Sequence, residues 1–298
     1  MDSNTSMRKT SRTTRTRAGD PVTAVIVILL IAALAACLYQ VGRKLYEYEI
    51  ARAEYTRLDG ELISAVSDEE DSAFGAGENG PVPSEAPEEI WWPELEIDHE
   101  AYAGINSDYV GILYFPLFEM RYPIALSQNN TEYLTTTFEG QANGSGCIFM
   151  DYKNNRRFTD RNTYLYGHNM RDGSMFGSLK RLVREPQLCE GDPKIYVYTP
   201  DYILEYQLYA VELMPAGERL PSIYTDLQYD AWLEAITERA SFVDHGLDLS
   251  DRSDMLTLYT CWGTDYRYKL LVHGIRTRKK ELHPIRLYPP KERKTYGR

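Results

Sequence analysis

Cys261 closes the apolar, strand-like run Thr257-Leu258-Tyr259-Thr260 and precedes the polar turn Trp262-Gly263-Thr264-Asp265. A thiol at a strand end facing a turn is both positioned and reachable, which suits a nucleophile. At neutral pH a thiol is weak unless a base takes its proton or a positive charge sits beside it. Of the five histidines, His168 suits that base. It follows the strand-like Thr163-Tyr164-Leu165-Tyr166 after Gly167, whose conformational freedom lets the backbone turn sharply and present the imidazole at a strand edge. His99 adjoins a linker, His245 and His283 lie in charged loops, and His273 sits mid-strand, where it could face inward or outward. Arg267 opens the strand that follows the Cys261 turn. A hairpin over 258–270 would bring Arg267 and Cys261 to the same end of adjacent strands, within reach of one bound carbonyl. Arginine stays charged and offers a rigid fork of donors. With the backbone N–H of Trp262 it could hold a developing oxyanion. The chemistry such a trio supports is acyl transfer, provided the fold brings His168 and Cys261 together.

The elements that must do this are mostly strands. Eight runs rich in β-branched and aromatic residues lie between turn residues: Tyr109–Phe115, Arg121–Leu126, Gly146–Met150, Thr163–Tyr166, Lys194–Thr199, Tyr202–Leu213, Met255–Thr260 and Arg267–Ile275. Eight short strands suit a closed barrel or a sandwich. Two helices interrupt them. Asp172 could cap the first, with Met175, Phe176, Leu179, Leu182 and Val183 as its apolar face. The second spans about 227–242, with Trp232, Leu233, Ile236 and Ala240 buried. Cys147, in an apolar strand, reads as a core residue. Cys189 lies in a polar turn, as a surface thiol or a partner for Cys147.

The 298 residues carry 33 Lys+Arg against 44 Asp+Glu, a net charge of −11. Ten of the acidic residues, and no basic ones, fall between Asp59 and Glu89, so the folded part is near neutral. No basic stripe interleaved with aromatics appears there, which argues against a nucleic-acid partner. At the N-terminus, Arg8, Lys9, Arg12, Arg15 and Arg17 precede the apolar run Val22 to Tyr39. Eighteen helical residues reach about 27 Å, enough to cross a hydrocarbon core, and the basic flank favours a cytoplasmic N-terminus. The same run also fits a cleaved signal peptide, and Leu34-Ala35-Ala36-Cys37 fits a lipobox with Cys37 lipidated. Each reading puts the folded part outside the cytoplasm. The expected layout is a basic tail over 1–20, an anchor over 21–41, a juxtamembrane helix and acidic Pro/Gly linker over 42–92, a catalytic domain over 93–282 and a basic tail over 283–298.

The segment Tyr164-Leu165-Tyr166-Gly167-His168-Asn169-Met170-Arg171-Asp172-Gly173-Ser174-Met175-Phe176-Gly177, then Thr257-Leu258-Tyr259-Thr260-Cys261, then Arg267, resembles the sortases of Gram-positive bacteria, class B in particular. The runs Asp108–Gly111, Arg121–Ile124, Phe138–Gly140 and Ile148–Tyr152 fit the same class, so the likeness covers about 95–280. It implies an eight-stranded sortase β-barrel with added helices, preceded here by one transmembrane helix. It implies a cysteine transpeptidase with Cys261 as nucleophile, His168 as general acid and base, and Arg267 at the oxyanion or substrate. Asn130, Leu134 and Tyr166, with Tyr259, Thr260 and Trp262 beside the cysteine, would line the groove for the sorting signal. No metal or other cofactor is implied, and no ligand cluster with metal spacing is seen. The partners implied are surface proteins with a C-terminal sorting signal, an amine of the cell-wall precursor or a pilin, and the membrane. The sequence departs from the class in two places: Tyr259 stands where Ser is usual, and the turn from Cys261 to Arg267 is short. A thiol protease using water, or a silent surface-binding module on the same barrel, are the competing readings.

Overall fold

A computed structural model describes residues 21–65, 90–263 and 267–282. The expected basic tails over 1–20 and 283–298, with His283, and the acidic stretch over 66–89 lie outside the described residues. The chain forms two compact units, Met1–Tyr46 and Glu47–Arg298. In the first, helix α1 (Pro21–Leu62) begins as an apolar rod whose side chains are exposed through Leu45. This stretch is long and apolar enough to cross a bilayer.

In the second unit, the rest of α1 buries Ala51, Glu54, Tyr55 and Leu58. These residues repeat at helical spacing, so one face meets the domain. The Tyr55 hydroxyl donates to Gly146 O at 2.7 Å and accepts from Phe138 N. The helix ends in strand β1 (Ile63–Ala65), which pairs with β2 (Leu95–Ile97). The short helix α2 (His99–Ile105) follows, capped by Asp98.

The barrel strands are β3 (Tyr109–Phe115), β4 (Met120–Ala125), β5 (Ile148–Met150), β6 (Asn162–Tyr166), β7 (Lys194–Tyr198), β8 (Tyr202–Pro215), β10 (Met255–Trp262) and β11 (Tyr268–Glu281). They lie in the order β11-β10-β6-β5-β4-β3-β7-β8, and β8 pairs back with β11 to close the ring. Each of the eight expected strands is present. Closure removes the unpaired edges that an open sheet would expose. The β4–β5 and β6–β10 pairs are parallel, the others antiparallel. Ile112, Leu113, Ile148, Leu165, Ile195, Leu256, Leu258, Leu270 and Val272 fill the core.

Two helical expectations are corrected. Asp172 caps a turn, its Oδ1 accepting from the backbone and hydroxyl of Ser174, and Gly173 is left-handed at φ +88°. The helix therefore starts later, as α3 (Lys180–Arg184) after a 3-10 turn, although Met175, Phe176, Leu179 and Leu182 are buried as expected. Helix α4 spans Asp226–Arg239, with a capping box between Thr225 and Gln228. It stops before Ala240, because Ala240–Val243 form strand β9 and pair with β8. Trp232 and Ile236 bury against Tyr209, Met214 and Leu271 in a second apolar cluster outside the barrel. Cys147 is buried, as expected. Cys189 is buried too, rather than on the surface, and neither forms a disulfide.

Candidate active site

Strands β6 and β10 run parallel, with Tyr166 opposite Tyr259. Their rings meet edge to face, centroids 5.1 Å apart. Two residues further along each chain stand His168 and Cys261. The Gly167 N–H donates to Tyr259 O, and Asn169 Nδ2 donates to Cys261 O at 2.8 Å, so the two chain segments stay tied beyond the regular ladder. The strands thus bring the imidazole and the thiol, 93 residues apart in sequence, to one end of the barrel.

Gly167 serves this arrangement by its size. Its φ is not left-handed. A Cβ there would come within 2.5 Å of Ile148 Cδ1 and 2.7 Å of Phe176 Cδ2. The loop after His168 folds back, Phe176 N donating to His168 O and Met175 N to the Tyr122 hydroxyl. On the imidazole, Nε2 lies 2.8 Å from Leu134 O. A carbonyl only accepts, so this contact places a proton on Nε2 and leaves Nδ1 as the second ring nitrogen for chemistry. Leu134 therefore meets His168 through its backbone.

Cys261 is half-buried. Alternation along β10 puts Tyr259 and Cys261 on one face and Thr260 on the other. Thr260 is accordingly 2% exposed and points into the barrel. Trp262 is half-buried, its ring 5.9 Å from the Arg184 guanidinium.

The β10–β11 hairpin pairs in a regular antiparallel register. Leu258 pairs with Val272, and Cys261 with Lys269. Arg267 is exposed just before β11, at the same end as Cys261, its carbonyl accepting from Ala216 N. The cation in contact with the sulfur is Lys269, with Nζ 3.1 Å from Sγ and 5.8 Å from the Tyr259 ring centroid. Sequence reasoning missed it.

A polar array continues from Tyr166. Its hydroxyl donates to Asp151 Oδ2 at 2.7 Å, and Asn130 Nδ2 donates to the same oxygen at 2.9 Å. Asn130 Oδ1 accepts from Tyr152 N. Asn130 and Tyr166, paired only by resemblance, are thus joined by Asp151, which the sequence reading did not single out. Burial, next to the Asp151 carboxylate, raises the Tyr166 phenol, and burial near Cys261 raises Tyr259 to about 12. Both rings stay neutral at physiological pH. Among the described residues no group of His, Cys, Asp and Glu is arranged to hold a metal ion.

The family model described as "Sortase domain" matches residues 113–277, more than half of the chain. Two curated relatives are each named sortase B. One, from Listeria monocytogenes, is 30% identical over 166 residues, 53% of this chain and 64% of its own. The other, from Staphylococcus aureus, is 29% identical over 54% of this chain and 66% of its own. The chain thus spans just under two thirds of the length of each. A crystal structure of sortase B from Bacillus anthracis in complex with AAEK1 is similar at TM-score 0.55 and 29% identity, over 60% of this chain and 83% of that one.

Proposed function

The chain belongs to the sortase family, and from that premise we propose that it is a membrane-anchored class B transpeptidase that cleaves a sorting signal and joins the released protein to an amine. The observation that carries this reading is the meeting of Cys261 and His168 at one end of the barrel, through the β6–β10 pairing and the Asn169 bond to Cys261 O. Cys261 gives its proton to His168 and, as the thiolate, attacks the carbonyl of the Thr in an NPxTx-like signal. A C–S bond forms and the carbonyl electron pair moves to oxygen, where the Trp262 N–H and the cationic hairpin end meet it. The oxyanion collapses, the C–N bond breaks, and His168 gives a proton to the departing amine. His168 then takes a proton from the acceptor amine, which attacks the thioester and releases the thiol. Asn130, Leu134, Tyr166 and Tyr259 line the signal's path, and Arg267 holds the peptide from the hairpin mouth. The acceptor is an amine of the cell-wall precursor or of a pilin. The apolar part of α1 anchors the enzyme with its N-terminus cytoplasmic and its barrel outside, where both substrates are held near the membrane.

The deciding experiment incubates the chain with a panel of NPxTx peptides and follows the enzyme's mass. A thioester adduct is expected on Cys261 and absent in Cys261→Ala. Added amine should speed product release; if it does not, water is the acceptor and the enzyme is a thiol protease. No adduct with any peptide overturns the reading.

A further inference from the structure

Lys269 holds a position that neither a surface strand residue nor a structural ion pair requires. It faces Cys261 directly across the β10–β11 ladder, on the same side of the sheet. Its ammonium group donates to Sγ at 3.1 Å. The Tyr259 ring lies 5.8 Å from Nζ, on the negative face that an aromatic ring offers a cation. The residue is half-buried, so neighbouring protein replaces part of the water that would screen the charge. Among the described residues, the side-chain contacts of the Lys269 ammonium are the Cys261 sulfur and the Tyr259 ring, with no carboxylate in ion-pair range. The acidic group of the neighbouring polar array, Asp151, is engaged by Tyr166 and Asn130.

We propose that Lys269 is the catalytic cation of this site, holding negative charge first on the Cys261 sulfur and then on the oxyanion. This deepens the transpeptidase reading and rests on it. Before attack, an Nζ–H bonds the sulfur. As the C–S bond forms, the sulfur's charge passes to the carbonyl oxygen. A second Nζ–H, one of three on a rotatable ammonium, follows the charge to that oxygen. The ammonium keeps all its protons throughout. His168 alone supplies the proton to the leaving amine. Arg267, two residues earlier and just outside the strand, is left for the substrate backbone. A lysine suits this task because its charge is compact and its donors rotate; an arginine fork at the same position would keep the charge and lose the mobility.

The test uses the full chain in detergent and two alkylating reagents, iodoacetate and iodoacetamide, with modification of Cys261 read by mass spectrometry of its peptide. The two reagents share a mechanism and differ in charge, so the ratio of their rates reports the field at the sulfur. Lys269→Met is expected to lower the iodoacetate-to-iodoacetamide ratio about tenfold, Lys269→Arg to keep it within about threefold, and Arg267→Gln to leave it near that of the wild type. With a reactive NPxTx peptide, Lys269→Met should lower kcat for acylation by about 10²-fold at nearly constant KM. A misfolded variant would disturb both reagents equally, and Lys269→Arg controls for it. An unchanged ratio in Lys269→Met, or a fall in Arg267→Gln instead, overturns the proposal. If wild type acylates with no peptide while the ratio falls as expected, the transpeptidase reading fails and the placement of charge at the sulfur survives it.

Discussion

Tyr259 touches two neighbours at once, with its face toward Lys269 and an edge contact to Tyr166. A serine there would leave the ammonium without its ring and Tyr166 without a wall. Tyr259→Ser is therefore expected to slow acylation about fivefold, as loss of roughly 1 kcal/mol of cation–π support implies, while Tyr259→Phe stays near wild type. Acylation rates of the two variants with one NPxTx peptide check this; equal losses would show that the hydroxyl, not the ring, matters. At this scale the positions of Cys261 and His168 at the ends of strand-like runs were legible, because a strand end can be read from the chain alone. Lys269 was not. A one-residue slip of a hairpin turns every side chain to the other face and is betrayed by the hydrophobic pattern. A two-residue slip keeps the faces, so Arg267 and Lys269 are equivalent by pattern, and only the observed pairing separates them. Asp151 was hidden for a related reason: its partners Asn130 and Tyr166 lie 21 and 15 residues away.

Helix α4, strand β8 and strand β11 are joined by a buried polar chain. Arg239 on α4 donates to Glu212 at 2.8 Å, Glu212 lies 3.2 Å from His273 Nε2, and His273 Nδ1 is 2.9 Å from the Thr257 hydroxyl. Glu212 and His273 are each 0% exposed. Burial alone would raise the Glu212 carboxyl, but hydrogen bonds from His273 and Arg239 outweigh it and hold the group below its ordinary value of 4.5. A depressed carboxylate stabilises the fold above its unfolded value, and that stability is lost as pH falls through the folded one. Glu212→Ala leaves His273 and Arg239 without their acceptor and is expected to cost about 3–5 kcal/mol. Glu212→Gln should flatten the acid limb of stability below about pH 4.5. Denaturant melts at pH 3 to 7 test both; an unchanged acid limb would show that the network carries no linkage. His273 illustrates what the elements hide, since mid-strand it could face either way until the barrel closed around it. The strands themselves were legible from their β-branched and aromatic runs. Helix ends were not: the apolar spacing of α4 continues to Ala240, but pairing with β8 takes Ala240–Val243 for the sheet.

Across the whole molecule, the acidic segment and the apolar first half of α1 account for most of the unusual composition, and the remaining chain builds one barrel with the end of α1 docked on it. His99, near that docking site, accepts or donates at Nδ1 to the Tyr109 hydroxyl and is lowered by burial to about 4. The unfolded chain binds a proton there between about pH 6.5 and 4 that the folded chain does not. Stability is therefore complete above pH 6.5 and falls by roughly 3 kcal/mol as pH drops to 4. His99→Asn should remove that slope in the same melts. The docked end of α1 sets a sharper test. Ala51, Tyr55 and Leu58 are buried, and the Tyr102 hydroxyl donates to Leu58 O at 3.0 Å. Arg121 pairs with Asp59 at 2.8 Å and Arg57 with Glu139. A chain beginning at Glu47 keeps every one of these contacts and should melt within about 3 °C of the full chain. A chain beginning after Leu62 uncovers Tyr102 and Phe138 and loses about 5 kcal/mol of burial, a drop in Tm of about 10–20 °C. Paired melts of the two truncations decide whether the second half of α1 is part of the barrel domain or only a stalk; equal Tm values would make it a stalk.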